Sequence, residues 1–356
     1  MKANTRRRFY NTAFRILFTL AVLAVAPVLT ACSQKESAQN SVRDAGAETD
    51  ASAPSAGSGM IVGFSQIGAE SAWRMRNSES MQEAAQAAGV QLLYHNAEQK
   101  QENQIKAIRS FIVYQVDVIV FVPIVQHGWE NVLNEAREAG IPVIVADRKL
   151  KLDDPSLVAG FIGPDHLEEG RQAARFLLAK YTGHPGPLQI FELRGTDGSS
   201  VCEDRAAGFR EVLAEDSRFH IVYSETGDFL RSKGREVVEN FLTASGGFEF
   251  AGRPVDILFS HNDGMTLGAL EVLENAGLCP GKDITVVSVD AEQAAINALR
   301  AGKINCVVEC NPNLGPDVLA LAERLVHGES ISYFNSTPER TFSEFDDLRS
   351  IQPRGY

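Results

Sequence analysis

From Met60 onward the chain alternates short apolar runs with stretches of helical period, and this alternation restricts the fold more than any other feature. The runs cover 60–64, 90–94, 116–122, 141–146, 188–193, 221–223, 255–259, 284–289 and 304–308. Several are rich in Val and Ile without polar alternation, as expected for parallel strands covered on both faces. Between them, 73–88, 104–114, 132–139 and 267–275 repeat apolar residues at spacings of three and four. Gly89, Gly140 and Gly277 follow three of these as helix stops. The pattern is a βαβ series, which implies open parallel sheets with right-handed crossovers. At 356 residues the chain is long enough for about two domains. It shows no short internal repeat of the solenoid kind.

In open α/β sheets the ligand crevice lies just past the carboxyl ends of the strands. The first exit carries Glu70, Trp73 and Arg74, and the fourth carries Asp147 and Arg148. The loop after Leu193 runs on to Cys202, Glu203, Asp204 and Arg205, and Phe259 leads to His261, Asn262 and Asp263. Asp290 follows Val289, and Glu309 follows Val308. Carboxylate, guanidinium and amide groups offer paired hydrogen bonds to vicinal hydroxyls, and an indole covers the C–H face of a sugar ring. Together they describe a polyol site. His261 has no second histidine at metal-ligand spacing, so no metal is expected. Nor is a cofactor.

The charge is unevenly placed. The chain carries 46 Asp plus Glu against 34 Lys plus Arg, a net charge of −12. Five of the cations, Lys2, Arg6, Arg7, Arg8 and Arg15, precede Cys32, and no acid does. The remainder therefore holds 29 cations against 46 acids, or −17. An acidic body of this kind excludes a phosphate-holding nucleic-acid binder. After the arginines comes an apolar run over 16–26, about 16 Å long as a helix, roughly half of a bilayer core. It reads as a signal-peptide h-region, not a membrane span. Leu29, Thr30, Ala31 and Cys32 resemble a bacterial lipobox, which implies acylation of Cys32 as the first mature residue and anchoring in a membrane. The segment 5–9 also resembles a twin-arginine export motif. From Ser33 to Gly59, 16 of 27 residues are Ser, Ala, Gly or Pro. A segment so poor in apolar surface is expected to be a disordered tether.

Several motifs resemble those of the sugar-binding proteins of ABC importers. They are 63–68 (Gly-Phe-Ser-Gln-Ile-Gly), 98–107 with its Glu-Gln-Lys-Gln-Glu-Asn start, 227–229 followed by 231–234, and 261–265 (His-Asn-Asp-Gly-Met). The resemblance runs from Met60 to Tyr356 and is to the ribose/galactose group, of the galactofuranose-binding type. It implies the periplasmic binding protein type I fold, an α/β architecture of two Rossmann-like lobes joined by a three-strand hinge. The lobes would be 60–163 plus 310–338 and 164–309 plus 339–356, after a signal peptide at 1–31 and a tether at 32–59. By the same resemblance, Asp147 and Arg148 hold hydroxyl and ring oxygens, and Arg205 is the guanidinium of the second lobe. Asn262, Asp290 and Glu309 complete the polar set, Trp73 or Phe229 stacks on the sugar, and Glu70 with Arg74 caps the first-lobe side. The ligand would be a monosaccharide, furanose or pyranose, delivered to ABC permease subunits by a monomer in the periplasm or at the cell surface.

Other function classes fit less well. A sugar receptor for a chemotaxis or sensor-kinase partner would keep the same site. A glycosidase would need one carboxyl with a raised pKa, whereas these acids stand beside arginines. No G-x-S-x-G, H-E-x-x-H or phosphate-loop pattern occurs, so no enzyme is expected. A repressor would need an N-terminal helix-turn-helix where this chain has an export signal. Beyond Cys32 the cysteines are Cys202, Cys279, Cys306 and Cys310. Export permits disulfides. A Cys202–Cys310 bridge is one expectation, since both fall near cleft loops on the same side, and four free thiols are the other.

Overall fold

The computed structural model describes residues 59–356. The signal segment, Cys32 and nearly all of the expected tether lie outside the described residues. The chain begins with β1 (Ile61–Gln66), α1 (Ala72–Ala88), β2 (Gln91–Asn96), α2 (Gln101–Tyr114), β3 (Val118–Phe121), α3 (Glu130–Glu138), β4 (Val143–Ala146) and β5 (Gly160–Gly163). It continues with α4 (His166–Lys180), β6 (Leu188–Arg194), α5 (Ser200–Leu213), β7 (Phe219–Thr226), α6 (Arg231–Ser245) and a short hairpin of β8 (Glu249–Phe250) and β9 (Arg253–Pro254). Then come β10 (Ile257–Ser260), α7 (Asp263–Asn275), β11 (Thr285–Asp290), α8 (Gln293–Arg300), β12 (Cys306–Glu309), α9 (Gly315–Val326), β13 (Phe334–Ser336) and β14 (Thr341–Ser343).

Two six-stranded sheets result, ordered β13-β5-β4-β3-β1-β2 and β14-β12-β11-β10-β6-β7. Both share one logic, with the first strand of each set flanked by the second and third. In each sheet the order reverses once, between β1 and β3 and between β6 and β10, which is where a doubly wound sheet opens its crevice. Every pairing within the sheets is parallel except β12 with β14. The fold is thus the expected α/β periplasmic binding protein type I architecture of two parallel-sheet lobes. The chain passes between sheets three times: from β5 into α4, from β12 into α9, and from β13 to β14.

The central strands are buried from end to end, for example Val118–Phe121 and Ile257–Ser260, because helices cover both faces. Phe64, Phe121, Ile144, Trp129 and Ile108 fill the first core, and Phe191, Leu258, Val286 and Val238 one side of the second. Gly89 caps α1 with φ 65°, and Gly140 and Gly277, at φ 72° and 83°, follow the caps of α3 and α7. All nine apolar runs become strands, but β5, β13, β14 and the hairpin were not anticipated. β5 is a four-residue strand with glycine at both ends, and β13 and β14 are three residues each, too short to show a period.

Among the described residues the four cysteines, Cys202, Cys279, Cys306 and Cys310, are free. The Cys202–Cys310 bridge does not form, because Cys202 Sγ turns to the Arg194 guanidinium at 4.0 Å, while Cys310 faces His166 and Glu169.

Candidate functional site

The crevice between the lobes closes on a narrow cavity of about 30 Å³, lined by Glu70, Ser71, Trp73, Arg74, Asp147, Arg148, Val201, Arg205, Phe229, Asn262, Asp290 and Cys310. That is room for only a few waters, well under the size of an open ligand pocket, because the walls have drawn together. The lining carries three carboxyls, Glu70, Asp147 and Asp290, and three guanidiniums, Arg74, Arg148 and Arg205.

The first-lobe wall grows from the start of α1. Ser71 caps the helix by accepting from Arg74 N at 3.1 Å, which fixes the first turn and aims Trp73 and Arg74 at the crevice. Arg74 then forms a fork. Nε donates to Glu70 Oε1 at 3.0 Å and Nη2 to Asp147 Oδ2 at 2.6 Å. Arg148 joins from the β4 exit, with Nη2 at 3.6 Å from Glu70 Oε1, Nη1 donating to Ile124 O at 3.2 Å, and its guanidinium 5.3 Å from the Phe229 ring centre. Asp147 sits at φ 61°, a left-handed backbone that a non-glycine residue adopts at a cost. Burial opposes its charge, but Arg74, His166 and Arg148 hold its carboxyl well below the usual range. Burial, with repulsion from Arg74, lowers Arg148 to about 10, so it stays protonated at neutral pH. Arg74 Nη1 and Arg148 Nε are buried donors without a hydrogen-bond partner among the described residues, and are therefore available to a ligand oxygen.

The second-lobe wall centres on Arg205. It is held by α4, whose Gly170 approaches so closely that an added Cβ would lie 2.2 Å from Arg205 O. That contact lets Glu169 accept from Arg205 Nε at 2.6 Å. Arg205 also donates Nη1 to His261 O, and Nη2 reaches Asp290 Oδ1 at 3.5 Å. Asp290, like Asp147, leaves its strand at positive φ, here 122°. Burial raises Asp290 well above the ordinary carboxylate range, with Asp263, Glu292 and Glu169 adding to it against the pull of Arg205. Asn262 caps α7 through Oδ1 to Met265 N at 3.0 Å, and its Nδ2 donates to Phe229 O at 3.2 Å. Phe229 follows Asp228 in left-handed backbone and presses its ring on Gly195, where a Cβ would lie 1.9 Å from the ring.

Nine of the ten expected ligand residues therefore line one cavity. Glu309 does not. Its carboxylate turns away to pair with Arg354 of the C-terminal tail, which also binds Tyr356. Its neighbour Cys310 takes the place on the wall, one residue along the same passage. Trp73 carries more than a stacking face, since its indole Nε1 donates to Cys310 O at 2.6 Å and its backbone N to Glu292 Oε1 at 3.0 Å. Both bonds cross from the first lobe to the hinge and second lobe. Further bridges join the lobes at the rim: Gln126 N to Gly198 O at 3.2 Å, Lys149 N to Ser200 Oγ at 2.8 Å, and Lys149 Nζ to Asp204 Oδ2 at 2.9 Å. The described structure is the closed arrangement. Ser71, Val201, Cys310, Glu169 and Glu292 were not among the expected ligand residues, although Ser71, Cys310 and Glu292 stand at or just past strand exits. His261 faces Glu192 Oε1 at 3.5 Å beneath the site and does not reach the cavity wall.

The comparisons with known proteins agree with this geometry. Residues 62–330 match the family described as periplasmic binding protein domain. The galactofuranose-binding protein YtfQ of Escherichia coli (strain K12) is 38% identical over 301 residues, which cover 83% of this chain and 93% of that protein. A Mycobacterium smegmatis structure in complex with β-D-fucofuranose is 43% identical, with a TM-score of 0.78 over 82% of this chain and 93% of its own. The periplasmic binding component of the arabinose ABC transporter of Shewanella sp. ANA-3, bound to α- and β-L-arabinofuranose, is also 43% identical, with a TM-score of 0.76, 80% of this chain and 92% of its own being covered. The chain belongs to the periplasmic binding protein family, whose members bind their ligands and do not turn them over.

Proposed function

We propose that this protein captures a furanose monosaccharide between its lobes and presents the closed form to an ABC permease. The observation that carries the reading is the buried cavity between the lobes, walled by Asp147, Arg148 and Arg74 from one lobe and Arg205, Asp290 and Asn262 from the other. Contacts from both lobes make closure depend on the ligand, a population shift driven by differential affinity. The paired carboxylate and guanidinium groups suit vicinal hydroxyls, and Phe229 supplies an apolar face. Relatives at 36–43% identity include proteins described with galactofuranose, arabinofuranose and fucofuranose, which supports a furanose ring over a pyranose. Glu70, Trp73, Arg74, Asp147, Arg148, Arg205, Phe229, Asn262 and Asp290 form the proposed ligand set. The proposed lobes are 60–163 plus 310–338 and 164–309 plus 339–356, with Cys32 lipidated after removal of 1–31 and 32–59 serving as the tether. Titration calorimetry with galactofuranose, L-arabinofuranose, galactopyranose and ribose tests the site. Tight binding of a furanose supports the reading, and binding of none of the four refutes it. Membrane fractionation of the wild type and Cys32→Ser tests the anchor, which predicts release of the variant.

A further inference from the structure

Behind the cavity, where the three chain passages join the lobes, lies a second polar cluster. His166 opens α4 just after the first passage, and Glu169 follows three residues on, on the same helix face. Cys310 begins the second passage and Glu339 stands in the third. One donor atom each from His166, Glu169 and Cys310 lie within 4.8 Å of one another, and all three residues are buried. His166 is fully buried, and neither ring nitrogen has a hydrogen-bond partner among the described residues; Asp147 Oδ1 stands 3.6 Å from Nε2. Glu169 Oε2 is held by Arg205, and its carboxyl also meets that of Glu339. The carboxyl of Glu339 faces that of Glu169, and Asn311 N fixes its Oε1 at 3.2 Å.

We infer that His166, Glu169 and Cys310, with Glu339 as a fourth donor, form a hinge site for a thiophilic divalent cation of the zinc type. Imidazole, thiolate and carboxylate are the ligand set such a cation takes, in tetrahedral array. Bonds of about 2.0–2.3 Å give tetrahedral edges of about 3.3–3.8 Å, so the donors of His166, Glu169 and Cys310 need to close by up to about 1.5 Å, within the reach of side-chain rotation, and Glu339 swings in from beside Glu169. Binding displaces the thiol proton and any proton shared by the facing carboxyls to solvent, and the cation takes over the neutralisation of those acids. Arg205 stays on Glu169 Oε2, where it orients the ligand carboxylate from outside. One ion would then tie all three passages together and stiffen the hinge about which the lobes move. The site does not depend on the identity of the sugar.

The test uses the full chain after chelator treatment, titrated with Co²⁺ as a spectroscopic probe and with Zn²⁺ in competition. Expected are one bound ion, a thiolate-to-cobalt charge-transfer band, and a higher melting temperature with Zn²⁺. Cys310→Ser loses the band, and Cys279→Ser, at an exposed thiol, keeps it. Glu339→Gln and Glu169→Gln retain the band but bind at least about tenfold more weakly, which covers the case in which Cys310→Ser fails to fold. No ion uptake, uptake without the band, a band that survives Cys310→Ser, or unchanged affinity in both glutamine variants would each overturn the proposal. Sugar calorimetry on the wild type with and without Zn²⁺ reports on the cleft apart from the substitutions, two of which touch its wall or its Arg205 support.

Discussion

Glu292 gives the sharpest test of how closure is coupled to binding. Its Oε1 accepts from Trp73 N at 3.0 Å across the lobes, while its own backbone N–H donates to Asp263 Oδ2 at 2.7 Å within the second lobe. Trp73 N lies in the first turn of α1, where backbone donors have no intrahelical acceptor. In Glu292→Ala that donor is stranded only when the lobes close, because water reaches it when they part. Leaving a buried donor unpaired costs about 1–3 kcal/mol. If the free protein is mostly open, the whole cost falls on the bound state, so the apparent dissociation constant rises about 5- to 140-fold. Burial raises the Glu292 carboxyl, so removing it relieves the second lobe of a costly group, and the unliganded melting temperature is expected to hold or rise. Glu292→Gln keeps an acceptor oxygen and is expected to bind within about threefold of wild type. Calorimetry with the preferred furanose, beside thermal melts of the free protein, reads both effects. Wild-type affinity in Glu292→Ala, within twofold, would refute the claim that this bond helps hold the closed form.

Asp147→Asn leaves Arg74 and Arg148 with Glu70 as their remaining carboxylate in the cavity wall, and calorimetry is expected to show at least about a 100-fold loss of affinity. Gly195→Ala drives a methyl into the Phe229 ring and is expected to weaken binding about tenfold or more through displacement of that ring, again by calorimetry. Gly208→Ala puts a Cβ 2.0 Å from Leu167 O, forces α4 and α5 apart, and is expected to lower stability by about 2 kcal/mol or more in denaturant unfolding. Burial disfavours the Glu192 carboxylate, but His261, Arg210 and Ser224 outweigh it and hold the group down at about 2. Its stabilisation is therefore complete above the unfolded value of about 4.3 and is lost as pH falls toward 2. The stability gap between wild type and Glu192→Gln should shrink between pH 5 and pH 2, and a gap independent of pH in melts over that range would contradict the sign.

How far the sequence disclosed all this depends on the physics of each element. Val118–Phe121 and residues 257–259 were legible because a strand buried on both faces is apolar along its length, and that constraint is local. Asp147 and Asp290 were legible because the end of a parallel strand is where such a sheet opens, so position along the chain implies position in space. β13 and β14 were hidden because three residues have no period, and their strand geometry comes from edges supplied by β5 and β12. Glu309 was misplaced because facing in or out near a strand end turns on one residue, and the partner that draws it away, Arg354, lies 45 positions on. The same distance problem conceals the deeper layer. Arg205 stands beside Glu203 and Asp204 in the sequence, yet its orientation comes from Glu169 on another helix, brought near by Gly170 and Gly208 where any side chain would intrude. Glycines that lack a turn role are thus the one sequence trace of that layer. Two such positions on successive helices report a close crossing, and a close crossing is what allows a buried acid on one helix to aim an arginine on the next into the cleft.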